Sequence, residues 1–168
     1  FEASGSCKEL AEVLERRAEG GGTSVEARAA WDRALDVCLR ASDAVNASRV
    51  CRRIHERFGG SHALFERWIP LLEGQRQWAD LAWALGEDGD VAPASERAAI
   101  YGRLGVLLQQ RMRDGGGAVE AFARALAADP SERISRAALE KMVGAGDHRA
   151  AAAAVLEPIY RAEGAHGP

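Results

Sequence analysis

The sequence predicts an all-α fold of about nine helices, paired as antiparallel hairpins in an α-solenoid. Three observations carry this expectation. Aromatics make up only 6% of the chain while alanine is abundant, as in the run Ala150 to Ala154, and alanine loses no side-chain entropy in a helix. Apolar residues recur at helical spacing, and no segment alternates convincingly at period two. The chain also matches itself: Leu10-Ala11-Glu12-Val13-Leu14 returns loosely as Leu81-Ala82-Trp83-Ala84-Leu85 and again as Ala152-Ala153-Ala154-Val155-Leu156, at steps of 71 residues. A unit of that length fits two hairpins of about 35 residues.

The breaks agree with that division. A first helix over 7–19 ends at Gly20-Gly21-Gly22, and it reads as the second half of a hairpin. The next, 24–41, carries Trp31, Ala34 and Cys38. Ala47, Cys51 and Ile54 mark a helix over 44–58, closed by Gly59-Gly60. Helices over 62–73 and 76–86 follow, the latter ended by the polar stretch from Gly86 to Pro93. Ser95-Glu96 after Pro93 gives a polar start for 94–112. Ala118, Phe122, Ala125 and Leu126 form a single apolar stripe on 117–128, after Gly115-Gly116-Gly117 and before Asp129-Pro130. Ser131-Glu132 opens 132–144, and Gly144-Ala145-Gly146-Asp147 separates it from 147–162. Pro70 and Pro158 fall inside helical patterns, where a missing N–H predicts a kink or local interruption.

Composition sets limits on function. The length of 168 residues favours one domain, 1–168, large enough to bury a core without metal or disulfide. A net charge of −3 gives no electrostatic footprint for nucleic acid. Arginine outnumbers lysine heavily, only Lys8 and Lys141 being lysines, which reads as a GC-rich codon habit. No apolar stretch approaches the roughly 18 residues that span a bilayer. Cys7, Cys38 and Cys51 form no CxxC pair, which points to a reducing, cytoplasmic compartment. The sequence opens on Phe1 rather than Met, so it is read as part of a longer chain, with an upstream signal peptide left open.

Residues 101–130 resemble the tetratricopeptide repeat. Tyr101, Leu104, Gly105 and Leu108 sit at that family's helix A spacing, and Ala118, Phe122, Ala125 and Pro130 at its helix B spacing. One residue more than the 34-residue consensus separates the two helices. Gly105 and Ala118 would permit close helix contact, with Phe122 filling the gap. Residues 31–59 keep Trp31, Ala34, Cys38, Ala47, Cys51 and Ile54 but end on Gly59, while 62–88 and 132–160 keep only the hairpin outline. HEAT-like or other α-solenoid hairpins are the competing architecture.

The resemblance implies a right-handed superhelix whose helix A residues line a concave groove for a partner peptide or helix. On the better repeat the corresponding positions are Ala99, Gly102, Arg103, Val106, Gln109 and Gln110. On the earlier unit they are Ala29, Asp32, Arg33, Asp36 and Arg40. Arg33 and Arg103 recur, and either could pair bidentately with a partner's carboxylate. Members that clamp a chaperone's C-terminal carboxylates use Lys and Asn on helix A. The single asparagine here, Asn46, and both lysines lie elsewhere, which argues against that clamp.

Other chemistry has weaker support. Cys51, His55 and His62 could be imagined as a metal cluster, but Cys51 holds the core position that Phe122 fills and no fourth ligand is evident. Gly115-Gly116-Gly117 lacks the Gly-Lys-Ser/Thr of a phosphate loop. Glu87, Asp88 and Asp90 read as solvated loop carboxylates. Trp31, Trp68, Trp78 and Trp83 read as packing anchors; for Trp78, preceded by polar Gln75-Arg76-Gln77, a partly exposed contact is the alternative. The expectation is a protein-interaction scaffold without catalysis, metal or cofactor. The alternative is a regulatory or substrate-docking arm of an enzyme whose catalytic domain lies elsewhere.

Overall fold

The computed structural model describes residues 8–14, 16, 24–144 and 148–164; Cys7, Glu15 and residues 17–19 of the first expected helix lie outside them. Regular structure in these residues is entirely helical, with no strand among them. Helix α1 covers 8–14. It is followed by α2 (Ser24–Arg40), α3 (Ala44–Phe58), α4 (His62–Gly74), α5 (Trp78–Val91), α6 (Ala94–Leu107), α7 (Gly115–Ala128), α8 (Arg133–Gly144) and α9 (Arg149–Gly164). A π-helical turn, Leu108–Met112, continues α6.

Most expected boundaries hold to within two residues, and the exceptions have physical causes. The stretch from Gly86 was expected to break α5, yet that helix runs on to Val91. A glycine inside a helix costs about 1 kcal/mol relative to alanine. Here packing accounts for Gly89: a Cβ on it would stand 2.5 Å from the Tyr101 ring. Gly115-Gly116-Gly117, expected as a break, instead forms the first turn of α7. The Asp114 side chain caps it, accepting from the Gly117 N–H at 2.9 Å. Both Pro70 and Pro158 lie on exposed sides of helices that continue past them without interruption.

The π turn explains the one-residue excess noted between the helices of residues 101–130. An i→i+5 turn takes up one extra residue without leaving the helix. Arg113 then turns the chain at φ 56°, and Asp114 begins the next helix. Ser42 and Arg76, after α2 and α4, also stand at positive φ. None of these three turns uses the glycine that the left-handed region favours.

The chain divides into two compact units, 1–81 and 82–168, with the division inside α5. In the first, Trp31, Leu35 and Cys38 of α2 are buried with Ala47, Cys51 and Ile54 of α3. Phe65, Trp68 and Leu72 of α4 are also buried there. Polar clasps cross this unit: Arg67 pairs with Asp36, Arg52 reaches Asp80 at 2.7 Å, and the Gln75 side chain donates to the Ser42 carbonyl.

In the second unit, α6 packs on α7 and α8 on α9. Ala118, Val119, Phe122, Leu126, Leu139, Ala152 and Leu156 form a continuous core through α7, α8 and α9. Gly105 is buried, and a Cβ there would overlap the Phe122 ring. The sequence expectation for that pair therefore holds in atomic detail.

Gly105→Ala should destabilise the chain by about 1–3 kcal/mol through overpacking against Phe122. Gly144→Ala, whose added Cβ meets nothing within 4 Å, should be neutral or stabilising by up to about 1 kcal/mol. Urea unfolding followed by circular dichroism compares them; equal effects would reject the interlock.

Candidate partner-binding faces

The expected contact residues on α2 form one stripe. Arg33 is exposed, and its Nε donates to its own helix at the Ala29 carbonyl, 3.2 Å away. Arg40 does the same toward the Asp36 carbonyl at 3.3 Å. Neither makes an ion pair among the described residues. Asp36 is half-buried and committed to Arg67, while Asp32 accepts from Arg28 at 3.1 Å. This stripe thus offers two arginines whose charged ends are not neutralised, flanked by carboxylates that are.

The α6 positions divide differently. Arg103 and Gln110 are exposed and Gln109 is half-buried, both glutamines lying on the π turn. Val106 packs partly buried on the core of α7, α8 and α9. Gly102 is buried under α8, where a Cβ would stand 3.2 Å from Glu132 Oε2 and 3.3 Å from Ser135 Oγ. Gly102 and Val106 therefore serve helix packing, and Arg103 is the one charged residue of that stripe.

The carboxylates expected in a solvated loop lie on α5 instead. Asp88 is buried, and Asp90 joins a clasp between helices. The buried Tyr101 donates its hydroxyl to Asp90 at 2.7 Å. Arg124 pairs with the same carboxylate while its guanidinium stands 4.2 Å from the Tyr101 ring centroid. A shallow cleft of about 290 Å³ opens here between Asp90, Arg97, Tyr101 and Arg124. Arg97 is held by the Ala92 carbonyl at 3.0 Å. The C-terminal ends of α5 and α7 both meet this cleft, so the two arginines balance Asp90 and two negative helix ends. The charge is internally compensated, which marks a structural clasp. Reading Gly86 to Pro93 as loop concealed it from the sequence.

The imagined metal cluster does not converge. Cys51 is wholly buried, and burial pushes its thiol far above the ordinary range, with Arg67 opposing that shift. His55 packs on Phe65, ring centroids 6.0 Å apart, and against Gly60. His62 Nε2 stands 3.5 Å from Glu66 Oε1. Cys51 and His55 belong to no group of three convergent ligands among the described residues. Cys38 is likewise a buried thiol outside any disulfide among the described residues. Trp31 and Trp68 are buried anchors as expected, whereas Trp78 and Trp83 are half-buried.

The larger opening is a groove of about 600 Å³ between α8 and α9. Val143, Ala153, Leu156 and Tyr160 form an apolar floor, with Glu140, Glu157 and Arg161 at its edges. Sequence reading passed over it because 132–160 carries only the outline of a repeat. Among the described residues no helix is long and apolar enough to cross a membrane. No protein-family model, curated protein or solved structure matches the chain.

Burial, and then the hydrogen bond to Asp90, push the Tyr101 hydroxyl from 10.0 up to about 12. A folded value above the unfolded one makes this contribution complete below pH 10 and lost as the pH climbs toward 12. The melting temperature should fall across that window, and Tyr101→Phe should fall less steeply from a lower start. Parallel curves for the two proteins would exclude the clasp as the cause.

Cys38 and Cys51 should resist alkylation in the folded chain and react once guanidinium unfolds it, read by peptide mass mapping. Rapid labelling of either at neutral pH would contradict their burial.

Proposed function

We propose that this chain is a protein-interaction scaffold of the tetratricopeptide kind, a solenoid segment that holds a partner peptide or helix and performs no catalysis itself. The observation that carries the reading is Arg33 on α2: exposed, bonded only to its own helix, and at the same repeat position as the exposed Arg103 on α6. A guanidinium already oriented by a backbone carbonyl is a pre-set donor for a carboxylate. The repeat register supports the same reading. Ala118 and Phe122 of α7 and Ala152 and Leu156 of α9 stand 34 residues apart and are all buried.

In this reading a partner is acidic where it meets Arg33 and Arg40 on the first unit, and separately where it meets Arg103 on the second, where Gln109 and Gln110 supply neutral hydrogen bonds. Asp36 holds Arg67 in place beside that surface. The burial of Cys38 and Cys51 in an apolar core, outside any disulfide among the described residues, supports a reducing, cytoplasmic setting for the scaffold.

The double variant Arg33→Glu/Arg103→Glu should retain its helical spectrum and lose at least about ten-fold in partner capture, since charge reversal at both contacts costs more than about 1.4 kcal/mol. Quantitative pull-down against the parent chain reads the difference. Undiminished capture of every partner by a folded variant would sink the assignment of these arginines.

A further inference from the structure

Charge along α2 is not evenly cancelled. Arg33 and Arg40 stand two helical turns apart, about 10.5 Å along the axis. Each turns its Nε onto the carbonyl four residues before it, Ala29 and Asp36 respectively, so both guanidiniums are held in the same sense. The carboxylates of this stretch are answered from within the protein: Asp32 accepts from Arg28, and Asp36 pairs with Arg67. Two positive charges are left over, with a neutral pair between them.

That spacing selects among anions. A continuous polyanion lays charge at every step and meets Asp36 between the two arginines. A peptide with two separate acids reaches both guanidiniums and leaves the Asp36–Arg67 pair intact. In an extended peptide, acids three residues apart span about 10 Å, which matches the arginines. A docked helix is held instead by a row of apolar anchors at i, i+3 or i+4 and i+7, and this face has no such row. Val25, Ala29, Arg33, Asp36 and Arg40 fall within about 80° of one another around α2. Of these five only Val25 is large and apolar, and it is 78% exposed. It precedes Arg33 by about 12 Å, the reach of three to four extended residues.

We propose that α2 holds an extended acidic segment of a partner protein, with two carboxylates three residues apart on Arg33 and Arg40 and an apolar side chain on Val25. The proposal rests on the scaffold reading, deepens it to the chemistry of the partner on the first unit, and does not use Arg103.

Fluorescein-labelled synthetic peptides titrated with the full chain, read by anisotropy, test the spacing. One carries a leucine, a glutamate about four residues on and a second glutamate three residues after that, with glycine and serine between. A second has the same composition with its glutamates adjacent, and each is made in both chain orders. In one order the spaced peptide should saturate below about 1 mM and bind at least about five-fold tighter than its adjacent-acid counterpart. Arg40→Gln, a change at an exposed position to another good helix former, should erase that preference. Val25→Asp should weaken the spaced peptide about three-fold or more, and Arg103→Gln should leave it unchanged. Circular dichroism checks that each variant is folded. No saturation by about 1 mM, equal binding of the two peptides, or indifference to Arg40→Gln or Val25→Asp overturns the proposal. Tighter binding of an oligothymidylate of about ten nucleotides also overturns it, by making the occupant a nucleic acid. Equal peptide binding, with capture still lost in Arg33→Glu/Arg103→Glu, removes the spaced-acid site and leaves the scaffold reading. Spaced-acid binding with undiminished capture in that double variant removes the scaffold reading's arginines instead.

Discussion

The second unit depends on the contact of Phe122 with Gly105. A phenylalanine ring seated against a backbone without a Cβ lets α6 and α7 approach closely, and burying such a ring contributes about 1.5–3 kcal/mol. Everything beyond it builds on that spacing: Leu126 and Val119 come into line to receive Leu139, and Leu139 in turn brings Leu156 of α9 into the same core. Gly89 against Tyr101 and Gly115 against His148 repeat the device, in each case a glycine that admits a ring. Glycine in a helix is locally unfavourable, and here tertiary packing overrides that preference.

Tyr101, Asp90 and Arg124 form the polar complement of that core. The phenol, the carboxylate and the guanidinium come from three successive helices, and each satisfies the other two. A network closed on itself fixes helix positions and leaves little unbalanced charge for a ligand. The first unit distributes the same task among separate pairs, Arg67 with Asp36 and Arg52 with Asp80. Arg33 and Arg40 of α2 remain outside such pairs and stand out because their neighbours Asp32 and Asp36 are engaged.

Helix order and most boundaries were legible in the sequence, because apolar residues at i, i+4, i+7 and i+8 and polar N-terminal residues act locally. Gly105 and Phe122 were legible because their spacing resembles that of a known repeat. The continuation of α5 to Val91 was not, since Gly86 and Gly89 read as breakers until the Tyr101 ring is placed beside them. That one misreading also hid Asp90, which reads as solvated on any local criterion. Arg33 and Arg103 were found as candidates from repeat position, but that Gly102 is buried under α8 and Val106 packs on the core requires the neighbouring hairpin. The α8–α9 groove left no local signal, since its lining comes from two helices and 132–160 carries only a hairpin outline.

The π turn after Leu107 bears on how such a chain tolerates change in length. An added residue inside an α-helix would ordinarily rotate all that follows by about 100°, turning the apolar stripe away from its neighbour. Confined to one wide turn next to Arg113, it leaves the stripe of α6 before it and that of α7 after it in their own phases. A length change of one residue at this turn is therefore absorbed where it occurs, and the packing of α6 on α7 keeps its register.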